Sequence, residues 1–302
     1  MTTRRRFLAI SAAAIALPGA ISAQPVHIWQ GTALGTHATV RLAHPDAEAI
    51  SARVAAEISR LEDVFSLYRP ESALSQLNRA GRLQAPPFEL LECLSLAGAV
   101  HSATAGRFDP TIQPLWASYA EASALGQMPG EARLKAARAL VGWDQISLDP
   151  SQISMAPGMA LTLNGIAQGY IADRVASLLA DEGLTNILID TGEFRALGGH
   201  PGGGAWPVKL AAGGAVALTA RALATSAPLG TTFDEGAQVG HILDPVSGLP
   251  ARSNWREITI SARSAALADA LSTAACLFPS KAEINACLAS FAGAVLEAIT
   301  PA

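Results

Sequence analysis

The 302-residue sequence is poor in cysteine, in aromatic residues and in charge. Its three cysteines are an odd number, so at most one disulfide can form and a thiol-rich metal site is excluded. The formal net charge of −4 provides no basic surface for nucleic acid or anionic lipid, so the charge of an anionic ligand must be met locally. Half of the residues are hydrophobic, which indicates a globular protein with a substantial core.

The N-terminal segment contains an apolar run, residues 9–17, that is shorter than the ~20 residues of a membrane-spanning helix. Three arginines, Arg4 to Arg6, precede the run, and Pro18 ends it. This succession predicts a signal peptide of the twin-arginine type at residues 1–23, a mature domain at residues 24–302 and a periplasmic location. An uncleaved anchor is the alternative, and lipidation is not expected because no cysteine follows the run.

Helical and strand patterns are mixed along the rest of the chain. Apolar residues recur at helical spacing in residues 46–65, 88–105, 130–141, 167–182 and 265–277. Short β-rich runs lie at residues 36–42, 146–148, 160–163, 186–190, 206–210, 222–225, 241–243 and 257–261. The mixture predicts an α+β fold in which helices pack on an antiparallel or mixed sheet.

The predicted helix at residues 265–277 contains a pattern that favours a cation site. Asp269 and Thr273 stand one turn apart and offer a carboxylate and a hydroxyl on one face. Because Mg²⁺ held by few protein oxygens usually completes its shell with phosphate and water, the pair points to a phosphate-bearing ligand. His241 is a candidate to move a proton nearby. The alternative is that Asp269 caps the helix, Thr273 faces the core and His241 only supports a turn.

Seven segments, in order along the chain, form a larger pattern. The first two are the tyrosine segment at residues 68–78 and the Gly-Arg-Phe-Asp segment that begins at Gly106. The others are residues 164–173, 190–198, 224–226, 241–245 and 268–273. Their order and spacing span nearly the whole mature chain, and together they resemble the ApbE family of FAD:protein FMN transferases.

The resemblance implies a T-fold-like architecture and a magnesium-dependent transfer. FAD is cleaved at its diphosphate, FMN is joined to a threonine hydroxyl of a periplasmic or membrane-bound acceptor flavoprotein, and AMP leaves. By the same resemblance, Asp269, Thr273 and the backbone carbonyl of Gly165 bind Mg²⁺, and His241 activates the acceptor threonine. The FAD-binding positions implied are Leu34, Tyr68, Arg107, Phe108, Asp109, Thr162, Gln168, Thr225 and Leu243. For Tyr68, a core tyrosine is an equal alternative.

The departures from the family pattern include two single positions, besides a glycine pair one residue short at residues 191–193 and a changed segment at residues 226–229. Thr162 stands where the family usually has a carboxylate, and Gln168 stands where it has a lysine. A glutamine forms hydrogen bonds but does not neutralise phosphate charge. Two other functions are therefore kept open, hydrolysis of FAD to FMN and AMP and a non-catalytic periplasmic FAD-binding protein.

Overall fold

The structure is a computed structural model that describes residues 26–302, so the signal peptide predicted at residues 1–23 lies outside the described residues. The predicted α+β class is confirmed, because helices pack against sheets whose strands are all paired antiparallel. In the described part of the chain, no helix combines the length and the apolarity that crossing a membrane requires.

Helices and strands alternate irregularly along the chain. The helices are α1 (Ala47–Phe65), α2 (Ala73–Ala80), α3 (Phe88–Ala103), α4 (Gln113–Ala124), α5 (Glu131–Arg138), α6 (Ala167–Asp181), α7 (Ala265–Ala275) and α8 (Lys281–Leu288). The strands are β1 (His27–Ala33), β2 (Thr36–Leu42), β3 (Arg82–Gln84), β4 (Ile146–Asp149), β5 (Gln152–Met155), β6 (Ile187–Asp190), β7 (Phe194–Leu197), β8 (Trp206–Lys209), β9 (Ala215–Leu218), β10 (Ala222–Ser226), β11 (Trp255–Ala262) and β12 (Val295–Pro301).

The main sheet has seven strands in the order β1-β2-β6-β7-β10-β11-β12. Because neighbouring strands run antiparallel, the start of β2, the turn between β6 and β7, the end of β10 and the start of β11 all lie at the same end of the sheet. Two smaller sheets, β3-β5-β4 and the β8-β9 hairpin, accompany it. This shared end of the main sheet carries the candidate site.

Helices α6 and α7 pack closely, and a glycine makes the close packing possible. A Cβ atom at Gly169 would overlap the carbonyl of Ala265 and lie 2.6 Å from the amide nitrogen of Ala266. Only a residue without a side chain therefore fits at this contact. The start of α7 is also fixed by Asp173 of α6, whose carboxylate accepts hydrogen bonds of 2.9 Å from the amides of Ala265 and Ala266.

The β8-β9 hairpin packs on the main sheet through a separate apolar cluster. Trp206 and Val208 of β8 are 1% and 0% exposed, and they cluster with Phe194 of β7 and Leu223 of β10. The alternation along β8 leaves Lys209 exposed, as expected for a strand with one buried face.

Most of the predicted elements are present. All five predicted helices form, with ends that differ from the predicted ones by at most three residues, and six of the eight predicted strands form. The strand predicted at residues 160–163 is wrong. The backbone of Leu161 pairs instead with the side chain of Asn78, which accepts from the Leu161 amide at 2.7 Å and donates to its carbonyl at 2.8 Å. Asn78 thus takes the place of a neighbouring strand.

The strand predicted at residues 241–243 is also wrong. Leu243 forms only an isolated bridge with Pro250. Asp244 turns the chain, because its carboxylate accepts from the amide of Val246 at 3.0 Å and from the hydroxyl of Ser247 at 2.8 Å. Since Pro250 has no N–H group, a longer ladder cannot form across this turn. His241 consequently lies on a loop.

Candidate functional site

A cavity of about 760 Å³ opens at the shared end of the main sheet. This volume is within the usual range for sites that bind small molecules and cofactors. All thirteen predicted site residues line it, namely Leu34, Tyr68, Arg107, Phe108, Asp109, Thr162, Gly165, Gln168, Thr225, His241, Leu243, Asp269 and Thr273. The structure therefore brings together positions that are up to 239 residues apart in sequence, from Leu34 to Thr273. Their individual roles remain predictions.

The predicted cation site, defined by Gly165, Asp269 and Thr273, lies where the loop before α6 meets α7. A Cβ atom at Gly165 would lie 3.0 Å from Oγ1 of Thr273, so this loop touches that hydroxyl. The hydroxyl of Ser226, at the end of β10, lies 3.4 Å from the same atom. The amide of Gly169 donates a 3.4 Å hydrogen bond to Oδ2 of Asp269. The hydroxyl of Thr273 thus lies next to the Gly165 loop and the end of β10, and the carboxylate of Asp269 contacts α6.

The capping alternative for Asp269 is wrong. The N-cap of α7 is Ser264, whose hydroxyl accepts a hydrogen bond from the amide of Leu267. Asp269 lies in the middle of the helix, is only 3% exposed and faces α6. Thr273 lies one turn further along and lines the cavity. The carboxylate and the hydroxyl are therefore on one face of the helix, as the spacing predicted.

A second buried carboxylate, that of Glu193, lies close enough to influence Asp269. Glu193 follows the turn between β6 and β7, is 7% exposed, and accepts a 3.3 Å hydrogen bond from the amide of Thr225. Burial and then the negative charge of Asp269 raise the pKa of Glu193 well above its usual range. Burial raises the pKa of Asp269 as well. Two such groups must be neutralised by protons or by a bound cation.

The chemistry of these donors fits a hard divalent cation. Carboxylate, hydroxyl and backbone carbonyl oxygens are the ligands that Mg²⁺ prefers. No cluster of three or more histidine, cysteine, aspartate or glutamate side chains that could hold a metal occurs within residues 26–302. The three cysteines are buried and unpaired.

The geometry of His241 defines which of its ring nitrogens is available as a base. Nδ1 lies 3.0 Å from the carbonyl oxygen of Thr231. Burial lowers the pKa of His241, and the backbone carbonyls of Thr231 and Pro228, which raise it, only partly offset that effect. A carbonyl accepts but does not donate, so in the neutral ring Nδ1 carries the proton. The lone pair is then on Nε2. The imidazole is thereby suited to accept a proton at that atom.

Gln168 and Thr162, the two single positions that depart from the family pattern, both have structural partners. Nε2 of Gln168 donates a 2.6 Å hydrogen bond to the hydroxyl of Thr36 at the start of β2. The hydroxyl of Thr162 accepts from the amide of Asn164 at 3.3 Å. Gln168 therefore links the start of α6 to the main sheet. Neither side chain brings charge to the cavity.

The segment from Arg107 to Asp109 forms another wall of the cavity. Asp109 caps a short 3₁₀ segment, since its Oδ1 accepts from the amide of Thr111 at 2.8 Å and from its hydroxyl at 2.6 Å. Phe108 is buried, and Arg107 stacks on Phe278 with 4.5 Å between the guanidinium carbon and the ring centroid. The side chains of this segment thus make contacts that stabilise the loop in which they lie.

Tyr68 and Leu34 lie at the edge of the cavity. Tyr68 is 74% exposed, so the core-tyrosine alternative is wrong. Leu34 has a φ of 50°, an uncommon conformation for a residue with a side chain, within the turn between β1 and β2. Its amide donates a 2.8 Å hydrogen bond to Glu62 of α1, which also pairs with Arg69. This link joins the turn that carries Leu34 to the loop that carries Tyr68.

Several cavity residues were not predicted from the sequence. Glu193, Lys209, Trp116 and Glu257 all line the cavity. Glu193 lies within the segment 190–198 that resembles the family, but the resemblance predicts no role for it. Its position after a turn, between two apolar strands, is the signal that was available. Lys209 is the last residue of a strand, and nothing in its sequence surroundings indicates a cavity.

Comparisons with known proteins agree with this fold. The fold is shared with the crystal structure of the Pseudomonas stutzeri flavinyl transferase ApbE, apo form, with a TM-score of 0.80 and 25% identity over 93% of this chain and 96% of that one. The model of the ApbE family matches residues 34–295, and this chain belongs to that family.

Similar proteins include two named FAD:protein FMN transferase. The protein from Klebsiella pneumoniae (strain 342) is 30% identical over 247 residues, which are 78% of this chain and 77% of that protein. The protein from Vibrio cholerae serotype O1 (strain ATCC 39541 / Classical Ogawa 395 / O395) is 28% identical over 273 residues, which are 83% of this chain and 80% of that protein.

Proposed function

We propose that this protein transfers FMN from FAD to a threonine hydroxyl of an acceptor flavoprotein, in a reaction that requires Mg²⁺ and releases AMP. The protein is a transferase, as its family and its relatives named FAD:protein FMN transferase indicate. The observation that carries the proposal is the placement of a proton-accepting imidazole, His241, and two buried carboxylates, Asp269 and Glu193, around one cavity. Attack on a diphosphate requires a base and a site for charge neutralisation.

The cation would be held by the carboxylate of Asp269, the hydroxyl of Thr273 and the backbone carbonyl of Gly165. When bound, Mg²⁺ supplies positive charge against the phosphate oxygens. The residues themselves fix the relative positions of the reacting groups. The contact between Gly165 and Thr273 and the hydrogen bond from Gly169 to Asp269 hold α6 and α7 in register at the site.

The imidazole would serve the acceptor. The threonine oxygen attacks the phosphorus of the FMN portion, and the bond between that phosphorus and the oxygen bridging to the AMP phosphate breaks. The hydroxyl proton passes to Nε2 of His241, and AMP leaves with the bridging oxygen. The Thr231 carbonyl keeps the proton of the neutral ring on Nδ1, so that Nε2 is the accepting atom at the outset.

We also propose that the protein is exported to the periplasm. The support is the arginine-rich, apolar segment at residues 1–23, which resembles a twin-arginine signal. The acceptor would then be a periplasmic or membrane-bound flavoprotein.

The experiment is incubation of the purified protein with FAD, Mg²⁺ and a candidate acceptor. AMP is measured by chromatography and covalent flavin by in-gel fluorescence and intact mass. We expect both products, and neither with His241→Ala or Asp269→Ala. His44→Ala, which changes a histidine on the loop before α1, is the matched control and keeps full activity. AMP without an acceptor and without covalent flavin would identify FAD hydrolysis instead. FAD binding without AMP under any condition would identify a non-catalytic binding protein.

A further inference from the structure

The walls of the cavity contain more carboxyl groups than lysine and arginine side chains. The carboxylates that line it belong to Asp109, Glu193, Glu257 and Asp269, and the lysine and arginine side chains that line it are Arg107 and Lys209. His241 adds no charge at neutral pH because burial lowers its pKa. A dinucleotide brings two further negative charges on its diphosphate. A positive side chain of the protein would therefore stabilise a diphosphate in this cavity in addition to a cation.

Arg107 is engaged outside the cavity. Its guanidinium stacks on the ring of Phe278, and its Nη1 donates a 3.3 Å hydrogen bond to the carbonyl of Thr104. Neither Phe278 nor Thr104 lines the cavity. The charged end of Arg107 is thus directed towards other parts of the protein.

Lys209 is not engaged in this way. Within residues 26–302, no hydrogen bond and no ion pair involves its ammonium group, and the side chain is exposed. Of the two lysine and arginine side chains that line the cavity in the described part of the chain, Lys209 is therefore the one whose charge is available to a ligand.

The backbone of Lys209 is nevertheless held firmly. It pairs with Ala215 of β9, and the preceding residue, Val208, is buried against Phe194 and Leu223. Those two residues also line the cavity. Phe194 directly follows Glu193, so the wall from which Lys209 extends continues to the carboxylate next to the predicted cation site. A flexible side chain thus starts from a fixed point on this wall.

We propose that Lys209 pairs with the diphosphate of FAD, an inference that rests on the proposed function. An ammonium group is a compact charge with three rotatable donors, and such groups bind phosphate oxygens without a fixed angle. The four-carbon side chain allows the ammonium to follow the ligand. Lys209 thereby supplies the positive charge that the neutral side chain of Gln168 does not.

The test measures the dissociation constant of FAD by quenching of flavin fluorescence, in the presence of Mg²⁺. Lys209→Met removes the charge and keeps an unbranched side chain, and Lys209→Arg keeps the charge. Lys135→Met, on the exposed face of α5 and outside the cavity lining, is the matched control. We expect binding about tenfold weaker in Lys209→Met, as for the loss of one charged hydrogen bond. The Lys135→Met and Lys209→Arg variants bind within about threefold of the parent protein.

The outcomes separate the two proposals. If the parent protein binds FAD and Lys209→Met binds it equally well, the role of Lys209 is rejected while the proposed function stands. If Lys209→Met and Lys209→Arg are weakened equally, the charge is not responsible, and the role is also rejected. If the parent protein binds no FAD, both the proposed function and this inference are rejected. Thermal denaturation of each variant confirms that the fold is retained.

Discussion

Replacement of Gly169 by alanine tests whether the contact between α6 and α7 positions the site. The added Cβ would lie 2.6 Å from the amide nitrogen of Ala266 and closer still to the carbonyl of Ala265, whereas ordinary contacts begin at about 3.4 Å, so the helices must separate by more than about 0.8 Å. Overpacking against a backbone costs up to about 3 kcal/mol, and alanine regains about 1 kcal/mol of helix propensity. The net loss of about 2 kcal/mol lowers Tm by about 4–8 °C in a chain of this size.

The assay is thermal denaturation with and without Mg²⁺. Because Gly169 of α6 donates to Asp269 and the loop that carries Gly165 leads into α6, we expect separation of the helices also to reduce the stabilisation by Mg²⁺ at the proposed site. Gly98→Ala in α3 is the control. Its Cβ would lie 2.9 Å from the ring of Trp143, a side chain that can move, so its Tm changes less and its response to Mg²⁺ is unchanged. A Gly169→Ala protein with the parent Tm and the parent response would refute the reasoning.

Three further predictions concern single site residues. Because burial raises the pKa of Asp269, we expect Mg²⁺ binding to release protons and the affinity for Mg²⁺ to increase as the pH rises. Calorimetry in two buffers of different ionisation enthalpy measures the proton release, which Asp269→Asn should abolish. Because burial lowers the pKa of His241 below its usual 6.5, we expect kcat/KM measured with saturating Mg²⁺ to fall only when the pH drops below 6.5. A fall in kcat/KM that begins above about pH 7 would contradict the role of His241 as the base. Asp109→Ala lowers the free energy of unfolding by about 1 kcal/mol and Asp109→Asn by less, as chemical denaturation will show.

Much of the fold was predictable because its strongest patterns are local. Helix α1 and strand β2 follow from the spacing of apolar residues, and their bounds agree with the predicted ones to within one residue. The weakly patterned elements were not predicted. Helix α4 is only weakly amphipathic, and the sequence pattern did not predict it. Residues 160–163 form no strand because Asn78, 83 residues away from Leu161, satisfies the backbone there.

The candidate site was predictable where residues are close in sequence. The i, i+4 pair Asp269 and Thr273 falls on one face of α7 as expected, because helix geometry alone determines it. The contribution of Glu193 was not predictable in this way. Its carboxylate meets Asp269 only because β6, β7 and β10 are neighbours in an antiparallel sheet and α7 packs against that sheet. A contact of this kind depends on the topology of the whole sheet, which the residue pattern of a single segment does not predict.

The positions of Asp269 and Glu193 explain why two unfavourably buried carboxylates persist in one site. Glu193 is fixed by the amide of Thr225 and Asp269 by the amide of Gly169, so each is held by a backbone group that cannot move independently of the fold. Burial raises the pKa of both carboxyl groups and so favours their neutral forms. A divalent cation bound as proposed would favour the ionised forms instead, because its two positive charges would balance two negative ones.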